Sequence, residues 1–223
     1  MKGKISEVFE SIQGEGLYFG ERQVFVRFFG CNLKCNFCDT KLDSFIEYEP
    51  EELFEEIKLY PNEFHSISFT GGEPLLQKDF LKEVLTLTHA QGYKNYLETN
   101  GTLADGLKTV IDYIDIVAMD LKLPSSTGLE YFWDRHRKFL EIASAKEVFL
   151  KAVICSSTKE DDLRQGLNLI KDINQAAILV LQPNSYEKRR KLAGKLKEFK
   201  EICLKEKVTT CVIPQLHKTA GIK

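Results

Sequence analysis

The sequence predicts an α/β fold, a partial (β/α)6-type barrel formed by a single domain that spans residues 1–223. Apolar, strand-like runs alternate along the chain with helical patterns of about 10–20 residues, which is typical of βα units around a parallel sheet. Polar residues follow the ends of these runs, and no linker rich in Pro, Ser or Gly divides the chain. The six βα units are fewer than a complete (β/α)8 barrel needs, and a doubly wound sheet is the main alternative.

The elements follow from the periodicity of the apolar residues. The predicted strands are Val24–Phe29, Ser66–Thr70, Asn95–Thr99, Asp115–Asp120, Val148–Ile154, Ile178–Gln182 and Thr209–Ile213. Helical patterns lie between them near residues 50–60, 78–91, 104–113, 128–144, 159–174 and 186–207. Ahead of the first strand, the glycine-rich segment 9–20 predicts an N-terminal hairpin extension.

Charge excludes several classes of partner. The chain carries 31 basic and 33 acidic residues, a net charge of −2, which favours neither nucleic acid nor a membrane. The basic pattern at 186–207 contains an apolar stripe and indicates a solvated amphipathic helix rather than an RNA-binding face.

The N-terminus lacks the apolar run of a secretory signal, and no run approaches the roughly 18 apolar residues of a membrane span, so we expect a cytoplasmic protein.

Cys31, Cys35 and Cys38 lie within one short segment, in the spacing C-x3-C-x2-C. Cytosolic thiols stay reduced, so clustered cysteines indicate a metal centre or catalysis rather than disulfides. A structural zinc site is the simple alternative, but zinc normally takes four protein ligands and no fourth Cys or His adjoins this loop. Three thiolates can instead hold a [4Fe–4S] cluster whose fourth iron stays open to an outside ligand.

This spacing resembles that of the radical S-adenosylmethionine (SAM) superfamily. The resemblance implies that the amino and carboxylate groups of SAM chelate the open iron, and that reductive cleavage releases a 5′-deoxyadenosyl radical. A second segment, 70–74 (TGGEP), follows a strand, precedes a helix and matches the superfamily's GGEP segment. A glycine pair alone indicates a turn, but this match implies a cradle for the amino group of SAM, with Glu73 offering negative charge to the ammonium.

The segment FESIQGEG at residues 9–16 and the basic residue Arg27 narrow the chemistry. Gln13 and Glu15 could pair with the amide edge of a heterocycle, although a hairpin turn with exposed acids is the simpler interpretation. Arg27 lies within an apolar strand and has no obvious partner in the sequence. A buried Arg needs an anion, and a substrate carboxylate would serve.

Together these motifs resemble the 7-carboxy-7-deazaguanine synthase family. The matching segments run nearly end to end: FESIQGEG, CNLKCNFCDT, TGGEP, ETNG, DLK, QP and the terminal QLHKTAGIK. The resemblance implies a lyase that converts 6-carboxy-5,6,7,8-tetrahydropterin to 7-carboxy-7-deazaguanine with loss of ammonia, in 7-deazapurine (queuosine) biosynthesis. Hydrogen abstraction from C6, contraction of the ring and return of the hydrogen would regenerate SAM.

The resemblance also implies roles for individual residues. The cluster is expected on Cys31, Cys35 and Cys38, and substrate contacts are expected from Ile12, Gln13, Gly14, Glu15, Arg27, Thr70, His217 and Lys223. SAM contacts are expected from Phe37, Cys38, Asp39, Gly72, Glu73, Thr99, Asn100, Asp120, Lys122, Gln182 and Pro183. Asp120 and Lys122 could instead simply pair with each other.

Three further expectations follow from the resemblance. Thr40 corresponds to a residue whose hydroxyl meets Mg²⁺ in the family, although alone it indicates a helix cap. The C-terminal segment folds over the pterin in the family, and this chain departs from it by ending in Lys223, whose side chain puts that contact in question. The implied partners are a small-molecule pterin, an electron donor such as flavodoxin or ferredoxin, and a second copy in a homodimer.

Two other classes of function remain open from the sequence. An activase that makes a glycyl radical on a partner protein uses the same cluster chemistry, but the segments SIQGEG and QLHK argue against it. A non-enzymatic zinc or iron–sulfur module would need a closed site, or a cluster that ignores SAM. The GGEP segment and the missing fourth ligand disfavour such a module.

Overall fold

The structure, a computed structural model, describes residues 1–40, 42–61 and 63–215. Its strands are β1 (Gly3–Ile12), β2 (Arg22–Phe28), β3 (Ile46–Tyr48), β4 (Ser66–Gly71), β5 (Asn95–Thr99), β6 (Ile116–Asp120), β7 (Glu147–Ile154), β8 (Leu179–Pro183) and β9 (Thr210–Val212). Its helices are α1 (Pro50–Ile57), α2 (Lys78–Ala90), α3 (Ala104–Val110), α4 (Pro124–Thr127), α5 (Trp133–Ala143), α6 (Glu160–Ile173) and α7 (Arg189–Lys205). No helix in these ranges is both long and apolar enough to cross a membrane.

The strands form one sheet of nine, in the order β3-β1-β2-β4-β5-β6-β7-β8-β9. From β2 onward the neighbours in this order are parallel, whereas β1 pairs antiparallel with both β2 and β3. Strands β1 and β2 therefore form an N-terminal hairpin, and its turn lies in the glycine-rich segment 9–20 that predicted a hairpin there. Strands β3 and β9 stand at the two edges of the sheet, so it is an open, partial barrel rather than a closed one.

The helices cover one face of this sheet, which distinguishes a partial barrel from a doubly wound sheet. Successive side chains on a strand point to opposite faces. On β6, Val117 and Met119 belong to a large core that includes apolar residues of α1 to α3 and α5 to α7. The alternate residues Ile116 and Ala118 belong to a separate small cluster on the inner face. Because a doubly wound sheet carries helices on both faces, that alternative is not what the chain forms.

The loop between β1 and β2 packs against this inner cluster. Leu17 and Tyr18 contact the cluster, which also contains Tyr96 and Phe149. Gly16 has a φ of +67°, and a Cβ at this position would lie 2.7 Å from the ring of Phe149. The sequence GEG therefore lets the loop approach the sheet closely, and it brings the preceding loop residues to the inner face.

The seven predicted strands are all present, with ends displaced by no more than two residues. Strands β1 and β3 were not predicted as strands, because β1 is only partly buried and β3 has three residues. The helical pattern at 128–144 begins later, at Trp133, after the short helix α4 and a loop. The basic pattern at 186–207 forms α7, whose apolar stripe is buried as an amphipathic helix requires.

Candidate active site

Polar side chains on the inner face gather at the carboxyl ends of the parallel strands, where α/β enzymes place their chemistry. They line a cavity of about 660 Å³. The inward-facing residues near the strand ends are Arg27 on β2, Thr70 on β4, Glu98 on β5, Asp120 on β6, Lys151 on β7 and Gln182 on β8. The chemistry of the cavity therefore comes from one residue on each of six neighbouring strands.

The cysteine loop after β2 forms one wall of the cavity. Cys31, Cys35 and Cys38 all line it as free thiols. The Leu33 N–H donates a hydrogen bond to the Sγ of Cys31 at 3.4 Å. Burial raises the pKa of the Cys31 and Cys35 thiols, so metal binding has to displace their protons.

The donor set of this wall fits a [4Fe–4S] cluster better than a zinc ion. Within the described residues, no three His, Cys, Asp or Glu side chains converge as closely as a single metal ion requires. A cubane spreads its cysteine ligands over separate irons, and three thiols leave one iron open toward the cavity. The cysteines outside this loop, at 155, 203 and 211, do not belong to the described lining of this cavity.

The glycine segment after β4 packs directly behind the cysteine loop. The Gly72 N–H donates to the Phe28 carbonyl at 3.2 Å, and the Glu73 N–H donates to the Gly30 carbonyl at 2.9 Å. A Cβ at Gly72 would lie 2.0 Å from the Gly30 oxygen and 2.8 Å from the Cβ of Cys31. A side chain at position 72 would therefore displace the loop that carries the cysteines.

Glu73 is fully buried, and its carboxylate holds the turn that follows β5. It accepts hydrogen bonds from the Thr99 hydroxyl at 3.0 Å, the Asn100 N–H at 2.8 Å and the Leu75 N–H at 3.1 Å. Burial raises its pKa to about 7. The structure places Glu73 behind the cavity wall, where it orients Thr99 and Asn100, instead of in the cavity where its charge was expected.

The wall beside the cysteines carries further predicted SAM contacts. Lys122 Nζ donates to Asp120 Oδ2 at 2.9 Å and lies 5.8 Å from the ring centroid of Phe37. Asp120 and Lys122 thus pair with each other and still line the cavity. Asn100 Nδ2 donates to Asn32 Oδ1 at 2.8 Å, which ties the end of β5 to the cysteine loop.

The opposite wall is organised around Glu98 and Gln13. Gln13 is buried, and its Nε2 donates to Glu98 Oε1 at 2.8 Å and to Gln23 Oε1 at 3.0 Å. Its Oε1 accepts from the Glu15 N–H at 3.0 Å. The Thr70 hydroxyl lies 3.4 Å from Glu98 Oε2. Gln13 therefore positions Glu98 and the Glu15 backbone, while its own amide is satisfied inside the protein.

Arg27 has an internal partner, so the expectation that it lacks one is wrong. Its Nε donates to Glu7 Oε1 at 2.6 Å, and its guanidinium carbon lies 5.6 Å from the ring centroid of Phe9. Glu7 faces Arg27 in the antiparallel register of β1 and β2. The sequence could not show this pairing, because β1 was not recognised as a strand.

The other predicted residues divide into three groups. Ile12, Gly14, Asp39, Thr40 and Gln182 line the cavity. Pro183 is buried at the end of β8 and does not belong to the described lining of the cavity. Residues 42–45 contain no helix, so the described residues give no support to Thr40 as a helix cap. His217 and Lys223 lie outside the described residues.

Sequence reasoning missed eight charged or polar residues of the described cavity lining, namely Ser6, Glu7, Asp43, Ser44, Glu98, Lys151, Asn184 and Gln215. Lys151 stands in the apolar strand VFLKAVI in the same way that Arg27 stands in its strand, and this signal could have identified it. Glu98 and Gln215 belong to the recognised segments ETNG and QLHK, but no role was assigned to either.

Comparisons with known proteins agree with this geometry. Residues 25–155 match the model of the radical SAM superfamily. A 7-carboxy-7-deazaguanine synthase of Geobacter sulfurreducens is 35% identical, over 98% of this chain and 97% of the relative, and one of Archaeoglobus fulgidus is 34% identical over the full length of both. The crystal structure of QueE from Escherichia coli has a TM-score of 0.66 and 20% identity, and the match covers 95% of this chain and 94% of that one.

The extent of these matches decides the family. The superfamily model spans more than half of the chain and includes the cysteine loop, the GGEP segment and strands β4 to β7. The two curated relatives align across both the N-terminal hairpin and the C-terminal segment, which lie largely outside that model. The chain therefore belongs to the radical SAM superfamily and, within it, to the 7-carboxy-7-deazaguanine synthase family.

Proposed function

We propose that this chain is a lyase that converts 6-carboxy-5,6,7,8-tetrahydropterin to 7-carboxy-7-deazaguanine with loss of ammonia, as a step of 7-deazapurine (queuosine) biosynthesis. One observation carries the proposal: a single cavity has three thiols on one wall and a paired polar set on the other. Its volume of about 660 Å³ falls within the range of about 300–1,000 Å³ that is usual for ligand sites.

The cysteine side of the cavity is assigned to the cofactors. When bound, the cluster and SAM supply a 5′-deoxyadenosyl radical that can remove the hydrogen from C6 of the substrate. Cys31, Cys35 and Cys38 would hold the cluster, and Gly72 allows the close approach of the loop that carries them. Phe37 and the Asp120–Lys122 pair form the adjoining wall, with an aromatic face and both signs of charge for a zwitterionic ligand.

The opposite side is assigned to the pterin. Its amino and ring N–H groups are hydrogen-bond donors, and the carboxylates of Glu98 and Glu15 are acceptors that line the cavity. The Nε–H of Arg27 donates a hydrogen bond to Glu7, so the outer guanidinium nitrogens of Arg27 can bind the substrate carboxylate. Binding at both ends would orient C6 toward the cofactor side and exclude water from it.

A Mg²⁺ ion belongs to the same proposal. Thr40 lines the cavity beside the carboxylates of Asp39 and Asp43, and oxygen donors of this kind are the ligands that Mg²⁺ prefers. A flavodoxin or ferredoxin as electron donor, a homodimer and a cytoplasmic location complete the proposal, and each rests on the family rather than on a contact in this chain.

The test is anaerobic turnover by the reconstituted chain with SAM, dithionite, Mg²⁺ and 6-carboxy-5,6,7,8-tetrahydropterin, followed by mass spectrometry. We expect 7-carboxy-7-deazaguanine, with little 5′-deoxyadenosine accumulating because SAM is regenerated. Cys35→Ala should abolish the product and lower the iron content. Cys211→Ala, which removes a thiol outside the described cavity lining, is the matched control and should leave both unchanged.

Two results would overturn the proposal. Continuous formation of 5′-deoxyadenosine without any deazaguanine would retain the radical chemistry and exclude the pterin as substrate, and an activase acting on a partner protein would then be tested. Retention of iron by Cys35→Ala, or its loss from Cys211→Ala, would show that the cluster is not held where we place it.

A further inference from the structure

Lys151 lies on the inner face of β7, with 4% of its side chain exposed and three carboxylates around its ammonium. Its Nζ is 2.9 Å from Glu15 Oε2, 3.7 Å from Glu98 Oε2 and 3.8 Å from Asp120 Oδ1. A buried ammonium is strongly unfavourable unless it is paired, so this arrangement cannot be incidental. Burial opposes the charge, but the carboxylates outweigh it and hold the pKa of Lys151 well above its ordinary value.

The three carboxylates come from different elements and from both sides of the cavity. Glu98 lies near the end of β5 on the substrate side, Asp120 ends β6 on the cofactor side, and Glu15 lies in the loop between β1 and β2. Glu98 and Asp120 are carried by strands of the sheet. Glu15 is carried by a loop, so its position depends more strongly on the charge that it contacts.

A second bridge continues from Glu15 to the cysteine loop. Gln215 Nε2 donates to Glu15 Oε1 at 2.6 Å and to Asp39 Oδ2 at 3.0 Å. Asp39 directly follows Cys38. The contacts therefore form a chain from Lys151 through Glu15 and Gln215 to the cysteine loop, and this chain crosses the cavity from one side to the other.

We propose that Lys151 is a positioning residue for the reaction, which holds Glu15 in place and, through Gln215, fixes the substrate side of the cavity relative to the cofactor side. This inference rests on the function proposed above. Without the ammonium, the repulsion among three carboxylates would displace Glu15 first, because the loop moves more easily than the strands. The pterin would then bind more weakly, with C6 less well aligned to the cofactor side.

The experiment compares Lys151→Met, Lys151→Arg and Glu15→Gln with the parent chain after reconstitution. For Lys151→Met we expect a rise in KM for the pterin of about tenfold or more. We also expect more 5′-deoxyadenosine released per deazaguanine formed, because 5′-deoxyadenosine returns its hydrogen less often to a substrate-derived radical that is misaligned. Lys151→Arg keeps the positive charge in a larger group. Its KM and its ratio of 5′-deoxyadenosine to deazaguanine should therefore lie between those of the parent chain and those of Lys151→Met. Lys200→Met, exposed on α7, is the matched control and should behave like the parent.

Three readouts besides turnover separate positioning from a purely structural role. The binding of 6-carboxypterin, followed by its own fluorescence, should weaken in Lys151→Met, while the iron content stays at the parental level. The double variant Glu15→Gln/Lys151→Met should be little worse than Lys151→Met, because both changes break the same chain of contacts. If Lys151→Met does not fold, Glu15→Gln and Gln215→Ala interrupt the same chain from loops and should show the same loss.

An unchanged KM and an unchanged ratio of 5′-deoxyadenosine to product in Lys151→Met would overturn the inference. The inference would also be overturned if the effects of Glu15→Gln and Lys151→Met on 6-carboxypterin binding multiplied fully in the double variant. If Lys151→Met fails to fold, unchanged binding of 6-carboxypterin by Glu15→Gln and Gln215→Ala would overturn it as well. Failure of the proposed function is distinguishable, since the parent chain itself would then form no deazaguanine.

Discussion

Gly72 is a position where the described part of the fold leaves no room for an added atom, and Gly72→Ala is therefore a sharp test of the site. A Cβ at this residue would lie 2.0 Å from the oxygen of Gly30, 2.6 Å from its carbonyl carbon and 2.8 Å from the Cβ of Cys31. The first two of these atoms are backbone, so no side-chain rotation can make room. Since non-bonded carbon atoms normally stay about 3.5 Å or more apart, the two segments must separate by about 1 Å or more.

The magnitude follows from what this separation breaks. Overpacking at a buried position costs about 1–3 kcal/mol. Separation also weakens the hydrogen bond from the Glu73 N–H to the Gly30 carbonyl, now 2.9 Å long, and such a bond contributes about 1 kcal/mol. We expect Gly72→Ala to lower the free energy of unfolding by about 2–4 kcal/mol in total. The displaced segment carries Cys31, so the variant should also retain less iron.

The assay is urea unfolding of the metal-free chain under reducing conditions, together with the iron content after anaerobic reconstitution. Gly194→Ala is the matched control, because Gly194 lies in the interior of α7 and a Cβ there meets nothing within 4 Å. Replacing an interior helical glycine should raise stability by about 1 kcal/mol and leave the iron content unchanged. If Gly72→Ala matched Gly194→Ala in both measurements, the close approach of the two segments would be refuted.

Three further predictions concern charges. Arg27→Gln should weaken binding of 6-carboxypterin by about 2 kcal/mol, or about thirtyfold, and leave binding of pterin without the carboxylate unchanged; an equal loss for both ligands would contradict the assigned contact. Burial raises the pKa of Glu73 from 4.5 to about 7 and lowers the pKa of His136 from 6.5 to about 4. Glu73 therefore stabilises the folded state less as pH rises from 4.5 to about 7, by about 3 kcal/mol. His136 stabilises the folded state less as pH falls from 6.5 to about 4, also by about 3 kcal/mol. These two pH dependences oppose each other in the parent chain, and each variant removes one of them. Between pH 4.5 and 6.5, the free energy of unfolding of the metal-free chain should therefore rise with pH in Glu73→Gln and fall with pH in His136→Gln. If both variants showed the same pH dependence as the parent, the shifted pKa values of Glu73 and His136 would be refuted.

Most of the strands that the sequence predicted are buried on both faces, and the edge strand β9 is the exception. Strands β6 to β8 are mainly apolar because helices cover one face and the inner cluster or the cavity covers the other. Charged residues inside such runs point to the inner face, and Arg27 was recognised as part of the site for this reason. The cysteine loop was recognised because its spacing is set by the cluster rather than by packing. The GGEP segment was recognised through its resemblance to the superfamily.

The pairing of charges could not be predicted, because it depends on register between distant segments. Glu7 meets Arg27 through the antiparallel pairing of β1 with β2, and Glu15 meets Lys151 across 136 positions of sequence. Periodicity reports which face a side chain occupies, but not which residue stands opposite. Glu73 was misplaced for a similar reason: its motif suggested a charge toward the ligand, whereas its hydrogen bonds are made to the backbone and hydroxyl of the β5 turn.

The charges of the cavity also explain how a nearly neutral chain can favour its cofactors. The described lining contains six carboxylates and three cations, namely Glu7, Glu15, Asp39, Asp43, Glu98 and Asp120 against Arg27, Lys122 and Lys151. The acidic excess there exceeds the net charge of −2 carried by the whole chain. SAM bears a sulfonium and an ammonium against one carboxylate, and Mg²⁺ is a cation, so both gain from this field. The pterin carboxylate is an anion, and the proposed contact with Arg27 would let it enter the same cavity, because Glu7 only partly neutralises that guanidinium.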